Sequence, residues 1–186
     1  MKVTREHAEK NRERVLEVAG RMFREKGFDG IGVADLMKDA GLTHGGFYAN
    51  FNSKEDLMAE SCERSLAELI EGWSKVAGGA NGDPLTALVA GYLSISQRDD
   101  PANGCVIAAL GADVARKSPA VRHVVTEGIR PFIELLTKSV PGRSRVARRK
   151  KALAIYASLV GAMVLARAVD DPALSKEILQ AVAASV

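Results

Sequence analysis

Apolar residues recur along this chain at the spacing of one helix face, and no segment shows the strict alternation of a half-buried strand. Val15, Leu16, Ala19, Met22 and Phe23 fall on one such stripe. Leu57, Met58, Cys62, Leu66, Leu69, Ile70 and Trp73 fall on a second, and Val121, Val125, Ile129, Phe132 and Leu136 on a third. The stripes are punctuated by helix-ending and helix-starting chemistry. Gly27 follows Lys26, Ser53 precedes Asp56 in a capping box, and Gly78 to Gly82 interrupt the pattern. Asp83-Pro84, Ser118-Pro119 and Asp171-Pro172 each place a capping side chain before a first-turn proline. The pattern predicts an all-α chain of about nine helices. A hydrophobic content of 47% in 186 residues supplies a core and excludes disorder as the main state. Two cysteines, Cys62 and Cys105, exclude a disulfide scaffold and suit a reducing compartment. No targeting segment opens the chain, and the apolar run Ala152 to Ala166 is shorter than the roughly 20 residues that span a bilayer. The expectation is a cytoplasmic protein with no membrane partner.

One stretch is organised more tightly than the rest. Val33 to Ala40 reads as two turns of helix, with Val33, Leu36 and Met37 on one face. Gly41 can adopt the positive φ that a sharp exit requires, and Leu42 plugs the turn. Thr43 then caps a second short helix, expected over about His44 to Asn50, with Phe47 and Phe51 on its buried side. Two short helices across a three-residue turn form a helix-turn-helix, whose second helix reads a DNA groove. Its outward face would offer Thr43, His44, Gly45, Tyr48, Ala49 and Asn50, and Lys54 could reach the same phosphate backbone from the next helix.

The pattern Phe23-x3-Gly27-Phe28, Val33-x2-Leu36-Met37-x2-Ala40-Gly41-Leu42-Thr43-x-Gly45-x-Phe47-Tyr48-x2-Phe51-x-Ser53-Lys54-x2-Leu57 resembles the DNA-binding domain of TetR/AcrR-type transcriptional regulators. The likeness implies an N-terminal three-helix DNA-binding domain over residues 1–52, and a ligand-sensing and dimerisation domain over 53–186. It implies an Ω-shaped homodimer, usually a repressor, that leaves double-stranded operator DNA when a small-molecule effector binds. Carried over by position, Thr43, His44, Gly45, Tyr48, Ala49, Asn50 and Lys54 become DNA contacts, with Tyr48 and Lys54 on phosphates. The chain departs from the family pattern in three places. Gly32 stands where a hydroxyl residue usually caps the second helix, His44 where Lys is common, and Gly46 where a small hydroxyl residue is common.

In the remainder, Ala152 to Ala166 is apolar nearly all round and kept thin by Ala154, Ala157, Ser158, Gly161 and Ala162. Such a helix needs cover on most sides, and a second subunit is the expected cover. The interface is expected to use Ile155, Leu159, Ala162 and Met163, with Ile178 and Val182 from the last helix. Cys105 opens a helix, where a thiol can become reactive, and some TetR-like regulators of electrophile or oxidant stress resemble it there. Buried packing is the alternative for Cys105. A non-covalent pocket would draw on Leu69, Trp73, Tyr92 and Phe132. The basic block Arg143 to Lys151 suits a solvated face better than a nucleic-acid patch. No phosphate loop, metal spacing or nucleophile motif supports an enzyme, and no cofactor is expected. The competing reading is a helical protein-interaction module without specific DNA binding. The net charge of +3 divides into two positive over the first 54 residues and one over the rest. DNA affinity would therefore rest on a few placed groups, including Lys2 and Arg5, doubled by dimerisation.

Overall fold

The computed structural model describes residues 5–186, so Lys2 lies outside the described residues. Among them are nine α-helices and no strand: α1 (Arg5–Lys26), α2 (Val33–Asp39), α3 (Lys54–Gly79), α4 (Pro84–Tyr92), α5 (Ile95–Asp99), α6 (Val106–Val114), α7 (Pro119–Ser139), α8 (Arg145–Ala168) and α9 (Pro172–Ser185). Short 3-10 turns cover His44–Gly46 and Pro101–Asn103. The caps explain most boundaries. Ser53 Oγ accepts the Asp56 N–H at 3.0 Å, Asp83 accepts that of Thr86 at 2.9 Å, and Asp171 accepts two at 2.8 and 3.2 Å. α1 stops where Gly27 turns left-handed at φ +74°, its N–H still bonded to Phe23 O at 2.8 Å. Two expected caps differ: Ser118 stands at the N-cap of α7 and Thr43 at that of the turn over His44–Gly46, but neither hydroxyl makes a capping bond.

The long helix α3 packs on α1 towards its start and on α7 along its length, and α7 in turn packs on α8 and α8 on α9. One hydrophobic cluster runs unbroken from Val15 on α1 to Leu179 on α9. At its centre stands Trp73. Its ring meets Phe132 edge-on at 5.2 Å and Tyr92 at 5.5 Å, and Phe132 stacks on Tyr156 at 5.9 Å. Phe132 and Trp73 are therefore joined through direct contact, not across open space.

α8 corrects the expected dimer surface. Ile155, Leu159, Ala162 and Met163 are 5% exposed or less and face the chain's own core. Ile178 and Val182 are half-buried against the same cluster. The uncovered side of α8 carries Leu153, Val164 and Leu165, at 46%, 42% and 56% exposed, with Ala154, Ala157 and Ser158 between them. A helix apolar all round gives no sequence cue as to which side its own chain will cover. α8 is long and apolar enough to cross a membrane by length and composition, and 39% of its apolar window is buried inside the chain.

Phe132→Ala removes a fully buried ring from the aromatic centre. Urea denaturation should show a loss of about 3–5 kcal/mol, whereas Leu153→Ala on the open face of α8 should cost under about 1 kcal/mol in the monomeric state.

Candidate nucleic-acid interface and effector cavity

The reading element begins with the way α2 ends. The Leu42 N–H bonds to Met37 O at 2.8 Å and the Gly41 N–H to Lys38 O at 2.9 Å. This reciprocal pair is a Schellman motif, and Gly41 supplies its left-handed residue at φ +69°. Leu42 follows in the place where such a motif packs its apolar contact on Met37. The N-cap of α2, Gly32, has no side chain to cap with, as the sequence implied.

Beyond Thr43 the expected second helix is shorter than the sequence suggested. A 3-10 turn spans His44–Gly46, closed by Gly46 N–H to Thr43 O at 3.0 Å and Phe47 N–H to His44 O at 3.1 Å. The chain then continues in turns, with both Asn50 and Phe51 N–H groups bonded to Phe47 O at 2.9 Å. Two consecutive glycines each cost about 1 kcal/mol of helix propensity, too much for so short a segment to hold a regular α-helix unaided. Phe47 and Phe51 nevertheless anchor it. They are 1% and 3% exposed with ring centroids 5.6 Å apart, and the Arg12 guanidinium lies 5.0 Å over Phe51.

The anchored turn presents Thr43, His44, Gly45, Tyr48 and Ala49 together to solvent. Tyr48 is 68% exposed, its ring edge-on to Phe47 at 5.2 Å and to His44 at 6.3 Å. Asn50 is different. Its side-chain nitrogen donates to Gly46 O at 2.8 Å, so its donor ties the turn together instead of facing outward. Lys54 is also held, its Nζ donating to Phe28 O at 2.6 Å, and burial lowers its pKa. Its ammonium keeps further donor capacity for a phosphate.

Sequence reasoning missed what fastens this head to the rest. Phe28 N–H donates to Asp113 Oδ2 at 3.4 Å, and Lys117 Nζ reaches Asp29 at 2.7 Å. Both partners come from the C-terminal end of α6, nearly 90 residues away, and no local pattern announces such a pairing.

At the other end of α6, Cys105 occupies the N-cap position, 2% exposed. Cys62, on α3, is buried and its thiol is pushed up to about 12 by desolvation. Beside the turn that precedes α6 is a cavity of about 390 Å³. Leu69, Trp73 and Tyr92 line it as expected; Phe132 does not, being packed behind Trp73. Five polar residues absent from the expected set, Arg24, Ser65, Glu68, Gln97 and Asn103, also line it.

Residues 15–60 match the family described as "Bacterial regulatory proteins, tetR family". The chain is 33% identical over 92 residues to the uncharacterized HTH-type transcriptional regulator YfiR of Bacillus subtilis (strain 168), which covers 50% of this chain and 43% of that protein. It is 27% identical over 132 residues to the HTH-type transcriptional repressor NemR of Escherichia coli (strain K12), covering 69% of this chain and 66% of NemR. These curated relatives are thus matched over less than two thirds of their own length. The fold superposes on the reduced form of E. coli NemR with a TM-score of 0.79, at 25% identity over 95% of this chain and 94% of that one. A TetR-family regulator from Agrobacterium tumefaciens gives 0.80 at 20% identity over 96% and 98% of the two chains, a likeness of fold.

Gly41→Ala forces a Cβ into the left-handed region and should lower stability by about 1–2 kcal/mol in chemical denaturation. Gly45 has open space where a Cβ would stand, so Gly45→Ala should leave stability unchanged or raise it by up to about 1 kcal/mol.

Proposed function

We propose that this chain, a member of the TetR family of transcriptional regulators, is a homodimeric repressor that leaves its operator in response to a small molecule or to modification of Cys105. In this reading residues 1–52 bind DNA and residues 53–186 sense and dimerise. The observation that carries it is the reading turn. An exposed polar surface of Thr43, His44, Tyr48 and Ala49 is held rigid by two buried phenylalanines and a Schellman exit, with no role in the chain's own core. Thr43 and His44 face the bases and the Tyr48 hydroxyl takes a phosphate, with Lys54 contributing its remaining donors. Gly45 allows the backbone to approach closely. Asn50 acts one step back, holding Gly46 O.

The uncovered row on α8 supports the dimer. Leu153, Val164 and Leu165 stand exposed around small residues that permit close helix approach. Two such faces, with α9 alongside, would set the separation of the two reading turns and hence the half-site spacing. The chain's small net charge makes this doubling necessary, because one head carries few phosphate contacts.

Effector response follows from linkage. DNA favours one arrangement of the two heads, and a ligand that prefers another weakens DNA by its differential affinity. Support for a thiol response comes from the position of Cys105 at the start of α6, whose far end grips the reading head through Asp113 and Lys117. The name of NemR, a repressor whose reduced form has been solved, is in keeping with it.

The test is a footprint of the protein on DNA flanking its own gene. A near-palindromic site should be protected, with affinity falling steeply as salt rises. Tyr48→Ala should weaken operator binding by roughly a hundredfold, as about 3 kcal/mol is lost across two heads, while urea stability is unchanged. Unaltered binding would displace Tyr48 from the interface. Leu165→Glu should convert the dimer to monomer in sedimentation and abolish the footprint. Cys105→Ser should remove any release caused by a thiol-alkylating reagent; release that survives it would end the thiol reading.

A further inference from the structure

Of the five side-chain polar atoms that are buried without a hydrogen-bond partner among the described residues, three stand together: Tyr92 Oη, Tyr156 Oη and Arg167 Nη1. They form one group. Tyr92 interacts electrostatically with Tyr156 and Arg167 and has a side-chain contact with the weakly hydrogen-bonding Cys105 thiol, and Tyr156 interacts with Cys105. The two tyrosines are only 4% and 7% exposed. Arg167 uses Nε and Nη2 on the carbonyls of Arg98 and Gln97, at 3.1 and 2.6 Å, which leaves Nη1 idle. A guanidinium only donates, so whatever satisfies this group must bring an acceptor.

Charge gives a second, independent indication. Arg24 reaches the same turn from α1, donating from Nε to Ala102 O at 2.5 Å and from Nη1 to Ser65 Oγ at 2.6 Å. Among the described residues neither Arg24 nor Arg167 has a salt-bridge partner. The neighbouring carboxylates are committed elsewhere, Glu68 to Arg64 at 2.8 Å and Asp100 to the Asn103 side chain at 2.9 Å. Arginine does not deprotonate in proteins; Glu68 and Asp100 offset these charges only in part and through space, since neither carboxylate bonds to either guanidinium. The cavity of about 390 Å³ opens against Arg24, with Tyr92, Gly104 and the Glu68 carboxylate also in its wall and Trp73, Leu88 and Val76 supplying apolar surface. A Cβ on Gly104 would lie 2.8 Å from Arg167 Nη2, so that guanidinium stands directly behind the wall.

We propose that the cavity binds a small organic anion, a carboxylate with a compact apolar body. The body lies on Trp73 and Leu88. The carboxylate sits at the Arg24–Tyr92–Gly104 end, with Arg167 and Tyr156 backing it. This rests on the small-molecule reading above and deepens it by assigning the ligand class. A neutral ligand of the same shape offers these donors no ionic acceptor. The site also joins two functions: Arg24 belongs to the helix that carries the reading head, so an anion drawing its guanidinium from Ala102 or Ser65 acts on α1 directly.

Trp73 is the only tryptophan, so its fluorescence in the full-length protein reports this cavity. Titration with cyclohexanecarboxylate and with its neutral amide compares the anion with a near-isostere. The carboxylate should bind at least about tenfold tighter. Arg167→Gln should bring the two within about twofold. The double variant Tyr92→Phe, Tyr156→Phe deletes only the unpartnered hydroxyls, so it should raise the melting temperature of the free protein and weaken the carboxylate selectively. Equal binding of acid and amide, no response at millimolar carboxylate, or a preference unchanged in both variants would overturn the anion site. Operator binding measured on the same samples separates the two readings. Intact DNA binding with no carboxylate response removes only the anion site. Absent DNA binding removes the regulator reading, and the Trp73 titration still decides the cavity.

Discussion

Phe28 is the residue on which the arrangement of this molecule turns. Its ring is fully buried, edge-on to Phe23 at 5.2 Å, and both of its backbone polar groups are used by side chains from other helices. The N–H goes to Asp113 on α6 and the carbonyl receives the Lys54 ammonium from α3. Next to it Asp29 pairs with Lys117, whose hydrogen bond holds the Asp29 carboxyl below its usual range. The left-handed Gly27 makes the turn possible, and a Cβ there would stand 3.0 Å from Asp113. Phe28 and Asp29 therefore tie the segment after α1 to α6 and α3, and a change at either helix can reach the turn over residues 43–51 through them, through α1 or along the chain at Ser53.

α6 is short, and its two ends do different work. Cys105 and the buried tyrosine–arginine group are at its N-terminal end, Asp113 and Lys117 at or just beyond its C-terminal end. A nine-residue helix moves as a rigid rod over roughly 13 Å, so a displacement at one end is delivered to the other with little loss. α3 offers a parallel route, since it begins at the Ser53 cap beside the reading turn and passes Leu69 and Trp73 in the cavity wall. The two routes meet again at Phe28.

What could be read from sequence was what local chemistry dictates. The helix count, the Ser53, Asp83 and Asp171 caps, the left-handed Gly27 and Gly41 and the buried pair Phe47 and Phe51 all follow from residues within a turn or two of each other. The reading helix was overestimated, because apolar spacing is satisfied equally by a 3-10 turn followed by looser turns, and the packing of Phe47 and Phe51 anchors the segment without offsetting the helix cost of Gly45 and Gly46. Asn50 and Lys54 were expected to face outward, and their hydrogen bonds to Gly46 O and Phe28 O were not legible. The α8 residues expected at an interface face the chain's own core for a related reason: periodicity locates a face and gives it no orientation when the opposite face is apolar too. The role of Arg24 and Arg167 was invisible, since each bonds to carbonyls 69 to 78 residues away.

These long-range arginines bear on how a ligand could alter DNA binding at all. A buried polar atom left unsatisfied costs about 1–3 kcal/mol, and a coupling of about 1–3 kcal/mol is enough to change affinity severalfold to a hundredfold. The unpartnered group around Cys105 thus holds free energy of the right size to be recovered by a ligand in one arrangement of the helices and not in another. The dry aromatic centre of Trp73, Phe132 and Tyr156 does not hold such a reserve, for its rings are already in contact. A bistable element is best built where packing is incomplete, and in this chain that is the polar end of the cavity, between an arginine of the reading head and an arginine of the helix whose other face is left open.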